Sequence, residues 1–352
     1  MQRKHIFYVL AVVTLLVSML PMAAIAQEAS PPAPDGYTIQ EFAAPDDKSE
    51  ARPDGSQLLS YSPDGMSFFN ESEPNDTPAT ANALPGSQVV VLGNISPATE
   101  VDYFSFTANT GDRVYAATQT QWSNGGSTDT ILDIYASDGT TLLETDDDSG
   151  TFSGTSSAIG GTIIPSTGTY YVRVDGFSGT SGITPYYLHL RVQSGTPTSE
   201  VEGNNTTATA NPLAASQWMS GTITSTTDPD FFSFSLNAGD SVYLGLDMDP
   251  GRVPSNTNWN GRIGLGVFNN NILLANDGST VKPHAEALFM TVQQAGTYYA
   301  YVDSVSATGL GVNARYNLSV SIYPKAVQQN CTTFTSTDVP KTIGPGVGTT
   351  TS

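Results

Sequence analysis

Cysteine is nearly absent from this chain of 352 residues, which has one, Cys331. A disulfide-stapled fold and a Cys-rich zinc site are thereby excluded within these residues. Histidine is scarce too. Of three, His5 lies in the leader, which leaves His189 and His284 for any imidazole chemistry. Basic side chains number 13 against 33 acidic ones, a formal net charge of -20. A nucleic-acid binder needs clustered Lys and Arg to meet phosphates, so that class is excluded as the default. Charged residues of both signs make up only 13%, too few for coiled coils or long surface helices laced by Glu/Lys pairs. No apolar run reaches the roughly 20 residues that a membrane-spanning helix requires. What is abundant is Gly and Pro, at 33 and 22. The balance describes an acidic, turn-rich β protein with room for two modest cores.

The apolar run nearest to a span, Ile6 to Leu20, follows Arg3, Lys4 and His5 and is broken by Pro21. Ala24-Ile25-Ala26 then offers a small-x-small cleavage site, so residues 1–26 read as a secretory signal peptide. The expected location is outside the cell, free or at the cell surface. No transmembrane segment is expected once the signal is removed. Residues 27–70 are rich in Pro, Asp, Ser and Ala and hold no sustained period of 2 or 3.6. They read as a disordered linker or pro-segment.

An internal duplication organises the remainder. Glu73-Pro74-Asn75-Asp76-Thr77 aligns with Glu202-Gly203-Asn204-Asn205-Thr206 at an offset of 129. Asp102-Tyr103-Phe104-Ser105-Phe106 meets Asp230-Phe231-Phe232-Ser233-Phe234 at 128, and Gly168-Thr169-Tyr170-Tyr171 meets Gly296-Thr297-Tyr298-Tyr299 at the same spacing. Tyr186-x-Leu188-x-Leu190 closes against Tyr316-x-Leu318-x-Val320 at 130. A period this long means tandem domains rather than a solenoid. They are placed at 71–194 and 198–324, jointed at Thr196-Pro197-Thr198. Within each unit apolar and polar residues alternate, as in Asp102 to Thr107, Tyr170 to Asp175 and Tyr187 to Val192. One set is expected in a core and the other in water. Turn signals such as Asn109-Thr110-Gly111-Asp112 and Ser137-Asp138-Gly139 separate the runs. About eight short strands per unit, with no amphipathic helix, predict an all-β chain of two tandem jelly-roll-like antiparallel β-sandwiches. The expected cores hold Phe104, Phe106, Val114, Ile134, Tyr170, Val172 and Leu188, then Phe232, Phe234, Val242, Val267, Tyr298 and Leu318.

Each unit opens with E-x-E-x-N-[DN]: Glu71, Glu73, Asn75 and Asp76, then Glu200, Glu202, Asn204 and Asn205. Oxygen-bearing side chains at alternate positions of an extended segment project to one side, which suits a hard cation. Calcium takes six to eight oxygens in irregular geometry. Asp102 and Asp230 can close such a site from the body of each domain. On composition alone, the same letters also fit an acidic linker with Asn/Asp turn chemistry. A second acidic group, Asp146-Asp147-Asp148-Ser149-Gly150, with Asn276-Asp277-Gly278 as its counterpart, reads as a solvated hairpin turn.

The opening E-x-E-P-N-D-T, the D-Y-F-S-F strand, the G-D turn and the G-T-Y-Y-V-R-V strand resemble the bacterial pre-peptidase C-terminal domain. That module trails secreted peptidases and includes the collagen-binding domains of clostridial collagenases. The resemblance covers about 73–194 and 200–324. It implies a jelly roll, often with calcium between the opening segment and the body. Carried over, the ligands are Glu71, Glu73, Asn75, Asp76 and Asp102, then Glu200, Glu202, Asn204 and Asp230. Two positions depart from the pattern. Thr99 and Thr227 stand where the metal-binding versions carry an acid three residues before the strand Asp, and Asn205 replaces the acid present as Asp76.

Catalytic motifs are missing: there is no Gly-x-Ser-x-Gly elbow, His-Glu-x-x-His pair or phosphate loop. His189 is expected on the water-facing side of its strand. Trp122, Trp218, Trp259 and Tyr186 are expected near loops or strand edges, where exposed aromatics can hold polysaccharide or extended protein polymers. The tail, 325–352, carries Phe334 to Ile343 and Gly346 to Thr350, similar to the first strand region of the P domain of proprotein convertases, and reads as the start of a third domain or as a disordered end. The expected function is a secreted, non-catalytic accessory protein of extracellular peptidases, with calcium-stabilised modules for polymer binding or spacing. Two alternatives stay open. One is a fragment of a secreted serine or metallo-endopeptidase whose catalytic domain lies outside these residues, and the other a cell-surface structural or adhesion protein.

Overall fold

A computed structural model describes residues 38–41, 59–60, 68–150, 155–252, 259–267, 272–276, 285–304 and 306–325. The signal peptide, His284, Asp277-Gly278, Cys331 and the P-domain-like tail beyond residue 325 lie outside the described residues.

Eight strands build the first sandwich: β1 (Gln88–Ile95), β2 (Val101–Ala108), β3 (Arg113–Gln119), β4 (Thr130–Tyr135), β5 (Leu142–Asp146), β6 (Ala158–Ile163), β7 (Gly168–Gly176) and β8 (Ile183–Gln193). Eight more build the second: β9 (Trp218–Thr222), β10 (Asp230–Leu236), β11 (Ser241–Asp247), β12 (Gly261–Val267), β13 (Ile272–Asn276), β14 (Ala285–Val292), β15 (Gly296–Ser304) and β16 (Arg315–Tyr323). In the first, the sheets run β1-β8-β3-β6 and β2-β7-β4-β5, and every pairing is antiparallel. In the second they run β9-β16-β11-β14 and β10-β15-β12-β13, again antiparallel. Both orders are those of a jelly roll. The duplication read in the letters is therefore also a duplication of topology.

Short segments extend these sheets. Phe69–Asn70 and Asn82–Ala83 pair in parallel with β1 and β2, as Thr198–Ser199 and Asn211–Pro212 do with β9 and β10. Two pieces of the stretch read as a linker, Thr38–Glu41 and Leu59–Ser60, pair with β13 and β14 of the second sandwich.

Local chemistry explains the turns. Between β2 and β3, the Asn109 amide donates to Asp112 Oδ2 at 2.7 Å, and Asn237 and Asp240 repeat the bond at 2.8 Å. The Asp112 and Asp240 amides donate back to the Asn109 and Asn237 carbonyls, both at 3.0 Å, so each β-turn is closed by its own residues. Phe104, Phe106, Val114, Ile134, Tyr170, Val172 and Leu188 are all buried in one core, and Phe232, Phe234, Val242, Tyr298 and Leu318 in the other. The Val267 side chain lies outside the described residues.

One expectation fails. Strands β3, β8, β11 and β14 do not turn their second face to water. A third cluster joins Val90, Tyr115, Ala117 and Ala158 of the first sandwich to Trp218, Tyr243, Ala285, Ala287 and Phe289 of the second. Every residue of β11 and β14 is consequently buried. His189 shares this fate, at 1% exposure, because the β8 face that looked polar is covered by aromatic rings from the other sandwich. Trp218 Nε1–H donates to Tyr115 Oη at 2.9 Å across the joint. Trp218→Phe should therefore cost about 1–2 kcal/mol, a lost hydrogen bond plus slightly poorer filling. A urea titration of the whole chain measures it.

Candidate metal centre

The opening segment of each unit runs along the end of its first strand. Asn82 pins it by exchanging two hydrogen bonds with Ser72, 2.7 and 2.8 Å, and Asn211 does the same with Val201, 2.7 and 3.1 Å. This fixes Glu71 and Glu73, or Glu200 and Glu202, on either side of the pinned residue. The backbone amides of Tyr103 and Phe231 donate to the carbonyls of Asn75 and Asn204, at 2.9 and 3.0 Å. Those bonds bring the segment against the strand that carries Asp102 or Asp230.

The result is two equivalent clusters. Carboxylate oxygens of Glu71, Glu73 and Asp102 lie within 4.8 Å of one another, and so do those of Glu200, Glu202 and Asp230. Both strand aspartates are fully buried. A tyrosine hydroxyl holds each: Tyr186 donates to Asp102 Oδ2 at 2.5 Å, and Tyr316 to Asp230 Oδ2 at 2.7 Å. Asn94 donates to Glu71 Oε1 at 3.0 Å, while the Thr222 amide donates to Glu200 Oε1 at 2.7 Å. A Cβ at Gly93 or Gly221 would collide with the tyrosine hydroxyl and the glutamate, so glycine is needed there for the close approach. Gly93→Ala should displace the Tyr186 ring from Asp102.

Like charges this close oppose one another unless a proton or a cation intervenes. In the cation-free protein burial raises the carboxyls of Glu71 and Asp102 well above the ordinary range, and neighbouring carboxylates add to it. Asp230 is raised by burial and then by Glu200. Several buried atoms lack partners: Glu71 Oε2, Asp230 Oδ1, and both amide atoms of the fully buried Asn204. A buried oxygen without a donor is costly. An oxygen-seeking cation would supply what the carboxylate and amide oxygens lack, so each cluster could hold a metal ion.

The two units then differ. In the first, Glu73 also joins Asp76 and Glu100 in a second trio within 4.8 Å. In the second, Asn205 Nδ2 donates to Asp228 Oδ1 at 2.9 Å, and Thr224 ties the other oxygen. A hydrogen-bonded pair thus replaces the second trio. Glu100 and Asp228 stand one residue after Thr99 and Thr227, the positions at which the family pattern places an acid, so spacing alone does not point to them. An open groove of about 700 Å³ borders the second site, lined by Glu200, Glu202, Thr222, Arg315, Tyr316 and Asn317 among others.

The Asp146-Asp147-Asp148 loop is partly the turn expected of it. Asp146 Oδ2 accepts from the amides of Ser149 and Ala158, at 3.0 and 2.7 Å. Asp147 and Asp148 nonetheless converge with Asp129. Burial, then Asp148 and Asp129, pushes Asp147 up to about 6. The aromatic expectation is corrected: Trp218, Trp259 and Tyr186 are buried, at 2%, 1% and 0% exposure, because they fill the joint, the second core and the first core beside Asp102. Trp122 is half-buried, packed against the second core and edge-on to Tyr187.

A family model described as the bacterial pre-peptidase C-terminal domain matches residues 100–176, from just before β2 to the end of β7. No curated protein matches the sequence. Among solved structures, the pre-peptidase C-terminal domain of a Bacillus anthracis collagenase aligns at 15% identity and TM-score 0.26, covering 34% of this chain and all of that one. A periplasmic inhibitor of g-type lysozyme from Aeromonas hydrophila aligns at 12% and 0.25, covering 32% and 96%. The tandem CBM22 domains of Paenibacillus barcinonensis Xyn10C align at 8% and 0.20, covering 62% and 82%. Overlaps this low carry no assignment. No described helix is long and apolar enough to cross a membrane.

Proposed function

We propose that the chain is a secreted, non-catalytic accessory protein of extracellular proteolysis, whose two sandwiches are stabilised by calcium and bind or space a polymeric substrate. One observation carries the calcium reading. Twice, at the same place in a duplicated fold, three carboxylates converge around buried oxygens that lack partners. Glu71, Glu73, Asp76 and Asp102, with Glu100, would hold the ion in the first unit, and Glu200, Glu202 and Asp230 in the second. The carried-over Asn75 and Asn204 are fully buried. The ion would supply charge neutralisation and cross-link the opening segment to the sheet.

The family match supports the accessory role. It also favours the alternative that the chain belongs to a longer secreted endopeptidase, with catalysis outside these residues. Pull-down on insoluble collagen, chitin and cell walls tests the polymer role, and casein hydrolysis tests catalysis.

Glu73→Ala gives calcium a sign-dependent signature. In chelator the variant should be as stable as wild type or more so, because a like charge has gone. In calcium it should be less stable, by the share of the ion's binding that Glu73 provides, a Tm difference of several degrees. Thermal melts in both buffers decide it. Identical Tm values in calcium and chelator for both proteins would falsify the proposal.

A further inference from the structure

We propose that the joint between the two sandwiches is an acid-sensitive latch, with His189 as its sensing group. This stands apart from the calcium reading, since His189 touches neither cation cluster.

His189 sits on β8 of the first sandwich, 1% exposed, with its ring 5.1 Å from Tyr243, 4.6 Å from Phe289 and 6.2 Å from Tyr323, all of the second sandwich. The neutral ring meets Gln119 Oε1 through Nε2 at 3.2 Å. Its Nδ1 is buried and has no hydrogen-bond partner. Protonation would make both nitrogens donors and place a full charge where one of them has no acceptor. The titratable groups facing the ring offer no compensation. They are the neutral hydroxyls of Tyr115 from β3, Tyr243 from β11 and Tyr323 from β16, with the cationic Arg191 on the same strand. β1 and β14 bring no ionisable side chain to this face: β1 offers Val90 and the amide of Gln88, and β14 offers Ala285, Ala287, Phe289 and the hydroxyl of Thr291. Burial accordingly holds the imidazole down to about 3.

Opening the joint returns the ring to water, where it titrates near 6.5. The sign follows. The closed state excludes the proton and the open state accepts it, so closure is undiminished above about pH 6.5. Each unit below that multiplies the open-to-closed ratio about tenfold, down to about pH 3. The sandwiches can part without melting, because each keeps its own core of buried residues. Parting would bare Tyr115, Trp218, Tyr243 and Phe289 as a new aromatic face. Asp247, pushed up to about 6 by burial, also titrates at the joint through Arg252 and Glu144. A His189 variant is therefore needed to isolate the imidazole.

Small-angle scattering and far-UV circular dichroism of the full chain, from pH 7.5 to 3 at fixed calcium, test this. The wild-type radius of gyration should rise in one step below pH 6 while the strand signal persists. In His189→Phe the step should move down by about one pH unit or more. An unchanged midpoint, or swelling only together with loss of the strand signal, overturns the proposal. If His189→Phe does not fold, the ring proton resonance of wild-type His189 decides. It should stay untitrated while the protein is compact and shift with the scattering step. Titration near 6.5 in the compact protein sinks the idea.

Discussion

With calcium chelated, the protein should lose stability as pH rises from about 5 to 8, and saturating calcium should remove that loss. The direction comes from the carboxyls at the two clusters. Glu71, Asp102 and Asp230 all stand above their ordinary range, through burial first and neighbouring acids second. A carboxyl raised in the folded state binds its proton more tightly there than in the unfolded chain. Its contribution is complete below about pH 4 and fades as pH climbs through the folded value. Calcium bound as proposed would compete for the same oxygens, so its stabilisation should be small at pH 5 and large at pH 8. At a hundredfold excess over Kd each site adds about 2.7 kcal/mol. His189 slopes the other way, since acid destabilises the state that keeps it neutral. That slope is common to both buffers and cancels when the chelated curve is subtracted from the calcium curve. Urea midpoints at four pH values in each buffer give the difference directly. A calcium increment that is the same at pH 5 and pH 8 would remove the carboxylates from the account.

Much of this architecture was readable as letters, because period-2 alternation and β-turn chemistry are local properties. Phe104 and Phe106 face inward opposite Tyr103 and Ser105 just as the alternation requires. The paired Glu71 and Glu73 declared themselves by spacing, and the duplication located Asp102 and Asp230. What stayed hidden depends on contacts between distant strands. Tyr186 looks like an edge aromatic until β8 lies beside β1 and its hydroxyl reaches Asp102. The signal was there, since a tyrosine stands at both Tyr186 and Tyr316, opposite a glycine at both Gly93 and Gly221. His189 is a polar-face residue by alternation alone, and Trp218 reads as an edge aromatic. Only the packing of one sandwich on the other turns that face into an interior. Nothing within either repeat encodes it, because the joint pairs non-equivalent residues, Tyr115 with Trp218 and His189 with Phe289.

Arg252→Ala should be among the most damaging single substitutions in the second sandwich, at about 3 kcal/mol. The guanidinium lies just after β11 and faces both sandwiches. It bonds Asp247 Oδ1 at 2.7 Å on its own side, then Glu144 at 3.2 Å and the Gly160 carbonyl at 2.5 Å on the other. Asp247 is fully buried and its Oδ2 has no partner, so the arginine is its main compensation. Breaking a buried pair from one side leaves the other charge uncompensated, which costs about 3–5 kcal/mol. The lower end applies because 22% of the Arg252 side chain meets solvent and water can enter. Burial already pushes Asp247 up to about 6 with the arginine in place. Without it the carboxyl rises further, so the variant should differ most from wild type at pH 8 and least at pH 5, where Asp247 can protonate. Arg252→Lys should recover only part of the loss, because one ammonium cannot fork between two carboxylates and a carbonyl. Arg252→Met with Asp247→Leu should recover most of it, since an apolar pair carries no desolvated charge. Urea midpoints for the four proteins at both pH values settle the matter. A loss below about 1 kcal/mol that does not vary with pH would mean that water already shields Asp247, and that the joint holds without this ion pair.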